Sequence, residues 1–127
     1  MKLEKIDIKG INDIFAISSV KKEFEKAADE TWHDNPPWKR YQEKLIQDLA
    51  ILDTEKEKAI KLQHFEKLVG IDRLYSIRHS ETPKNVRVIY TIEKGFIVLL
   101  TVFLEKNTGD YKKAVARAKK RLQWLDS

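Results

Sequence analysis

The sequence predicts an α+β domain: an antiparallel sheet of three strands, four with an N-terminal one, with helices packed on it and a basic helix last. Three observations predict this. Apolar residues recur at helical spacing through the first half, with Val20, Phe24 and Ala27 or Ala28, then Trp38, Tyr41, Leu45, Leu49 and Leu52. After Gly70 the period changes to two. From Asp110 it returns to helical. Runs of helix and strand in that order suit segregated layers rather than alternating βα units.

Each element has its own reason. "IDIKGINDIFAISSV" is rich in β-branched residues and supplies a strand around Ile14 to Ser18. "VKKEFEKAADETW" continues as a helix, which "HDNPPW" breaks. Pro36 and Pro37 suit the start of the next helix, where an early proline loses no helical hydrogen bond. "TEKE" reads as a capping box of Thr54 and Glu57. A third helix from Glu55 to about Lys67 would bury Leu62, Phe65 and Val69 and end at Gly70. Leu74–His79 and Val86–Ile92 alternate as strands, and "EKG" turns the chain into "FIVLLTVFL". That run is apolar on both faces and fits a central strand. The last helix buries Tyr111, Ala114, Val115, Ala118, Leu122 and Leu125.

The 127 residues fit one domain, 1–127, with 42% hydrophobic and 35% charged residues. A net charge of +5 favours a polyanionic partner, although many basic domains bind none. No cysteine is present, which excludes disulfides and thiolate metal sites and suits a reducing compartment. The N-terminus has no long apolar run, and Phe96–Leu104 is too short to span a bilayer. A soluble cytoplasmic protein with no membrane partner is expected.

Two arginines stand inside strands. Parity places Tyr75, Ile77, Val88 and Tyr90 on one face, and Ser76, Arg78, Arg87, Ile89 and Thr91 on the other. In the simplest hairpin register Arg78 lies nearly opposite Arg87, a like-charge pair that a bound phosphate would explain. Lys106 sits at the exit of the apolar strand. Ser76, His79, Lys84 and Tyr111 are close enough in sequence to complete an anion pocket. The alternative is that the arginines snorkel or pair with Glu81, Glu93 or Glu105. No metal site is expected, because the histidines are far apart and no His-x-x-x-His or carboxylate cluster occurs. No glycine-rich phosphate loop occurs either, and no cofactor is implied.

"LYSIRHSETPKNVRVIYTIEKGFIVLLTVFLEKNTGDYKKAVARAKKRL" resembles the second half of toxins of the RelE/HigB superfamily, most of all its HigB-like, phage-derived branch. The resemblance covers about Leu68 to Leu122. It rests on "LYSIR", "VRVIY", an apolar strand ending in phenylalanine, a lysine with a threonine close behind, and a basic, alanine-rich final helix. It implies a RelE-like fold: a small twisted antiparallel sheet with helices on one face and active residues on the other. It also implies the toxin of a type II toxin–antitoxin system, a ribosome-dependent mRNA endoribonuclease that a cognate antitoxin neutralises. Its partners would then be the antitoxin, the ribosome and mRNA.

On the matching positions, Arg78, Arg87 and Lys106 take the basic active-site places, and Tyr111 the place of a tyrosine near the RNA. Ser76 stands where RelE has a lysine, and Glu105 where many HigB-like toxins carry a second lysine. RNA can be cut without metal, because its own 2′-OH attacks phosphorus. Arginine suits the phosphate, being always charged and bidentate. Lys106 would assist there or act as an acid. His79 is the nearest candidate for a general base, provided its strand ends before it; otherwise it is an ordinary turn histidine. Lys112, Lys113 and Arg117 belong to a run of six cations, with no anion, between Lys112 and Arg121. That run is either a footprint for ribosomal RNA phosphates or a solvated helix face. Acidic residues gather earlier, around Glu23 to Asp34 and Asp48 to Glu57, which suggests a polarised surface. Two rivals remain: a non-catalytic inhibitor on the same fold, like the ParE-type gyrase poisons, and a plain RNA-binding module.

Overall fold

A computed structural model describes all residues, Met1–Ser127. In chain order the elements are β1 (Leu3–Lys5), β2 (Ile14–Ile17), α1 (Val20–Ala28), α2 (Arg40–Glu55), a 3-10 segment (Lys56–Lys61), β3 (Phe65–Lys67), β4 (Tyr75–Ile77), β5 (Val86–Glu93), β6 (Phe96–Leu104) and α3 (Thr108–Asp126). The α+β class holds, but the expected small antiparallel sheet does not. The sheet has six strands in the order β1-β2-β6-β5-β4-β3 and is mixed, since β2 runs parallel to β6.

The best-read part is the hairpin of β5 and β6. Lys94 and Gly95 both take positive φ, at 50° and 84°, as a two-residue hairpin turn demands. Ile97 to Phe103 are all buried, so β6 is the central apolar strand its composition announces. Leu100 is an extra residue in its ladder: Ile89 faces Thr101 while Tyr90 faces Leu99.

Two edge strands were not expected. β1 is three exposed or half-buried residues held by backbone pairing to β2. β3 lies where a helix over 55–67 was expected. Thr54 does not cap that helix; it belongs to α2, and its hydroxyl donates back to the Ala50 carbonyl at 3.4 Å. Lys56 has φ 52°, which stops α2. Gly70 at φ 73° and Arg73 at φ 64° then fold Phe65–Lys67 back on β4, with Phe65 opposite Ile77. Val69, expected in the core, is 95% exposed in this turn.

The helix boundaries also moved. α1 stops at Ala28, before Trp32, because Asp29 is left-handed. α2 begins at Arg40 rather than at the prolines. Its first amides, Tyr41 N and Gln42 N, donate to the carboxylate of Glu30 at 2.8 and 2.9 Å. A carboxylate from outside the helix thus does the work of an N-cap side chain.

The helices occupy both sides of the sheet, not one. Phe24 of α1 and Tyr41, Leu45 and Asp48 of α2 gather over Ile77 and Val88. α3 lies across the opposite face, where Arg117 Nε donates to Thr101 at 2.9 Å. Beyond the short β2, the free edge of β6 is covered by α1: Glu23 accepts from Thr101 Oγ1 (2.9 Å) and Val102 N (3.3 Å) and pairs with Arg121 of α3. The end of the α3 face, beside β3 and β4, stays open as a cleft. No helix is long and apolar enough to cross a membrane.

Tyr90 is fully buried, stacks on Tyr75 at 5.4 Å, and its hydroxyl has no hydrogen-bond partner. Burial, and then Tyr75, push its pKa well above the usual phenol value. Tyr90→Phe should therefore raise stability by about 1 kcal/mol in urea unfolding, since an orphaned buried hydroxyl costs about 1–3 kcal/mol. A loss of similar size would show that the hydroxyl is satisfied.

Candidate functional site: a cationic cleft at the end of the sheet

The pairing of β4 with β5 sets Ile77 opposite Val88, so Arg78, one residue past β4, comes beside Arg87. Both line one cleft of about 490 Å³ at the open end of the α3 face. Lys67, Asn85, Lys106, Thr108 and Tyr111 line it too, with Glu66 and Glu105. Four cationic side chains thus face two carboxylates, and the balance favours an anion.

Arg87 is the centre of the site and is only 4% exposed. One terminal nitrogen donates to Glu105 Oε2 at 3.1 Å. The other donates to Glu66 Oε1 and to Ser76 Oγ, the latter at 3.1 Å. Ser76 Oγ donates in turn to the same Glu66 oxygen at 2.9 Å. The guanidinium carbon sits 4.9 Å from the ring centre of Tyr111, within cation–π range. Its Nε is buried without a partner. The pairing alternative is therefore real for Arg87, through Glu105 and through Glu66.

Arg78, Lys67 and Lys106 form no ion pair, and all three are exposed. The start of α3 positions Lys106: Asn107 and Asp110 make a capping box, and Asp110 Oδ2 also accepts from Lys106 N at 2.8 Å. The same box sets Tyr111 one turn in, beneath Arg87.

Residues 32–123 match the family described as Phage derived protein Gp49-like (DUF891). The chain belongs to this family. No curated protein and no solved structure matches it.

The Gp49-like chain brings together Arg78, Arg87, Lys106, Ser76 and Tyr111, and not the other candidates. His79 is 7% exposed and lies on the opposite side, among α2 residues. Its Nε2 is 2.6 Å from Asp48 and its Nδ1 3.0 Å from Glu81. Burial opposes its charge, but Asp48 and then Glu81 outweigh burial and raise its pKa above the ordinary histidine value. Lys84 is tied to the helices: its Nζ donates to the Ala28 carbonyl at 3.0 Å, and its amide to the Tyr41 hydroxyl. Arg117 is engaged by Thr101 and Glu23. Lys112 and Lys113 are exposed on α3 outside the cleft. Two of the three histidines, far apart in sequence, meet in space: the His64 and His79 rings lie with centres 4.0 Å apart and planes tilted by 30°.

Glu66 is the site residue the sequence reading missed. Reading 55–67 as helix hid it, although "FEK" before a glycine turn carries a faint period-two signal. The clamp makes a structural prediction. Arg87→Ala should lower stability by about 3 kcal/mol, the low end for breaking a buried ion pair, because water still reaches Glu66. Urea unfolding tests this, and a change within about 0.5 kcal/mol would mean the two carboxylates do not depend on Arg87.

Proposed function

We propose that this Gp49-like protein is the toxin of a type II toxin–antitoxin pair and cuts ribosome-bound mRNA in the cytoplasm without a metal in its cleft. The observation that carries the reading is the cleft itself. Unpaired Arg78 and Lys106 share the cleft with a carboxylate, Glu66, that Arg87 and Ser76 hold in place. The likeness to RelE/HigB toxins in "LYSIR" and "VRVIY" supports the same reading.

The division of labour differs from a simple three-cation grip. Arg87 has its forked nitrogens committed to carboxylates and is buried, so it is a positioning residue. Arg78 and Lys106 take the non-bridging phosphate oxygens and stabilise the charge that builds on phosphorus. Glu66, 41% exposed on its side chain, is the base. It takes the proton from the ribose 2′-OH as that oxygen bonds to phosphorus. The bond from phosphorus to the 5′ oxygen breaks, and Lys106 supplies the proton that oxygen takes. The products are a 2′,3′-cyclic phosphate and a free 5′-OH. His79 has no part in this scheme. Lys112 and Lys113, exposed on α3, would contact ribosomal RNA phosphates, and the cognate antitoxin would block the cleft or that helix.

One observation favours a second reading, a non-catalytic inhibitor of the ParE type. A buried arginine held between two carboxylates is what a structural clamp looks like. Controlled expression followed by mapping of mRNA 5′ ends separates the two. Wild type should arrest growth and produce new ends within translated frames. Glu66→Gln and the pair Arg78→Ala, Lys106→Ala should each reduce cleavage by roughly a hundredfold or more while staying folded. Growth arrest with no new ends would replace the nuclease by the binding inhibitor.

A further inference from the structure

A second group of side chains lies behind the cleft, and the nuclease scheme does not use it. His64 precedes β3, His79 follows β4, and Glu81 is two residues on. One ligand atom from each falls within 4.8 Å of the others. The Glu81 oxygen is 3.0 Å from His79 Nδ1 and 3.8 Å from His64 Nε2. Two ligands held tetrahedrally at the usual zinc–nitrogen distance of about 2.0–2.1 Å stand roughly 3.3 Å apart, between those two values.

The remote nitrogens are what make this more than proximity. His79 Nε2 is bonded to the buried carboxylate of Asp48 at 2.6 Å. His64 Nδ1 lies 3.1 Å from the Arg78 carbonyl. A carboxylate behind one imidazole and a backbone carbonyl behind the other are the outer partners that orient metal-binding histidines. These partners accept from the remote nitrogens and leave His64 Nε2 and His79 Nδ1 facing Glu81; without a metal, His79 Nδ1–H donates to the Glu81 carboxylate at 3.0 Å. His64 also holds a positive φ of 81°, a conformation costly for a residue with a side chain. The exchange of hydrogen bonds with Arg78 fixes it there, since Arg78 N donates to the His64 carbonyl at 2.8 Å.

We propose that His64 Nε2, His79 Nδ1 and the Glu81 carboxylate bind one divalent transition-metal ion of the zinc class, with a water in the fourth position. Two imidazoles and one carboxylate select zinc, cobalt or nickel over magnesium and calcium, which prefer oxygen throughout. Glu81 is half exposed, so the ion enters from solvent. Lys44 Nζ, 3.8 Å from the same Glu81 oxygen, must swing aside. Where Nδ1 of His79 carries a proton, binding releases it. The site is separate from the cleft chemistry, but the ion would brace the Arg78 peptide through His64.

Untagged, chelator-stripped protein titrated with cobalt(II) tests the proposal. One equivalent should give the visible band of a tetrahedral site, and zinc should displace it. His64→Ala and Glu81→Gln alter partly exposed side chains, and far-UV circular dichroism checks that they stay folded. Each should weaken cobalt binding by at least about tenfold. His33→Ala should not change it. No cobalt band, or equal binding by wild type and both variants, would overturn the proposal whatever the protein does to RNA.

Discussion

One buried guanidinium organises the functional end of this protein. Arg87 stands on β5, yet it reaches Glu66 on β3, Ser76 on β4, Glu105 just past β6 and Tyr111 on α3. An arginine that is 4% exposed must have its charge answered. Two carboxylates, a hydroxyl and an aromatic face answer it. That requirement ties the short edge strand β3 to the sheet, fixes the exit of β6, and sets the first turn of α3 over the cleft. It also decides which cations stay free for a ligand: Arg78, Lys67 and Lys106.

Glu105 gains a meaning from this. At that place the HigB-like resemblance leads one to expect a lysine, and an acid there weakens anion binding. In this fold Glu105 neutralises Arg87 rather than facing the ligand alone: its side chain is 17% exposed, and Asn85 holds its other oxygen at 2.9 Å. In the proposed mechanism Glu66, more open to water, is the carboxylate left to act on a substrate. The proposal gives the two acids different roles because their surroundings differ.

Much of this was legible in the amino-acid order. Alternation placed Arg78 and Arg87 on one face, and the simplest hairpin register brought them together, as the pairing of Ile77 with Val88 does. The turn at Lys94 and Gly95, the central β6 and the alanine face of α3 came from equally strong local signals. What escaped depends on partners distant in the chain. β3 exists because three residues find β4, and its local sequence reads as helix once Thr54 and Glu57 suggest a cap. Glu30 caps α2 from eleven residues before Tyr41. His64 and His79 meet only because β3 and β4 pair, a contact no spacing rule contains.

In the proposed mechanism Arg87 is a fixed positioning group, and Arg78 and Lys106 hold the phosphate. NMR of the arginine and lysine side chains tests it most directly, during titration with a short RNA made uncleavable by a single 2′-deoxy nucleotide. Arg78 and Lys106 should show large shifts that fade with added salt, while the Arg87 Nε–H stays in place and slow to exchange. Release of Glu66 and Glu105 by Arg87 in favour of the phosphate, or no response from Arg78 and Lys106, would contradict this division of roles.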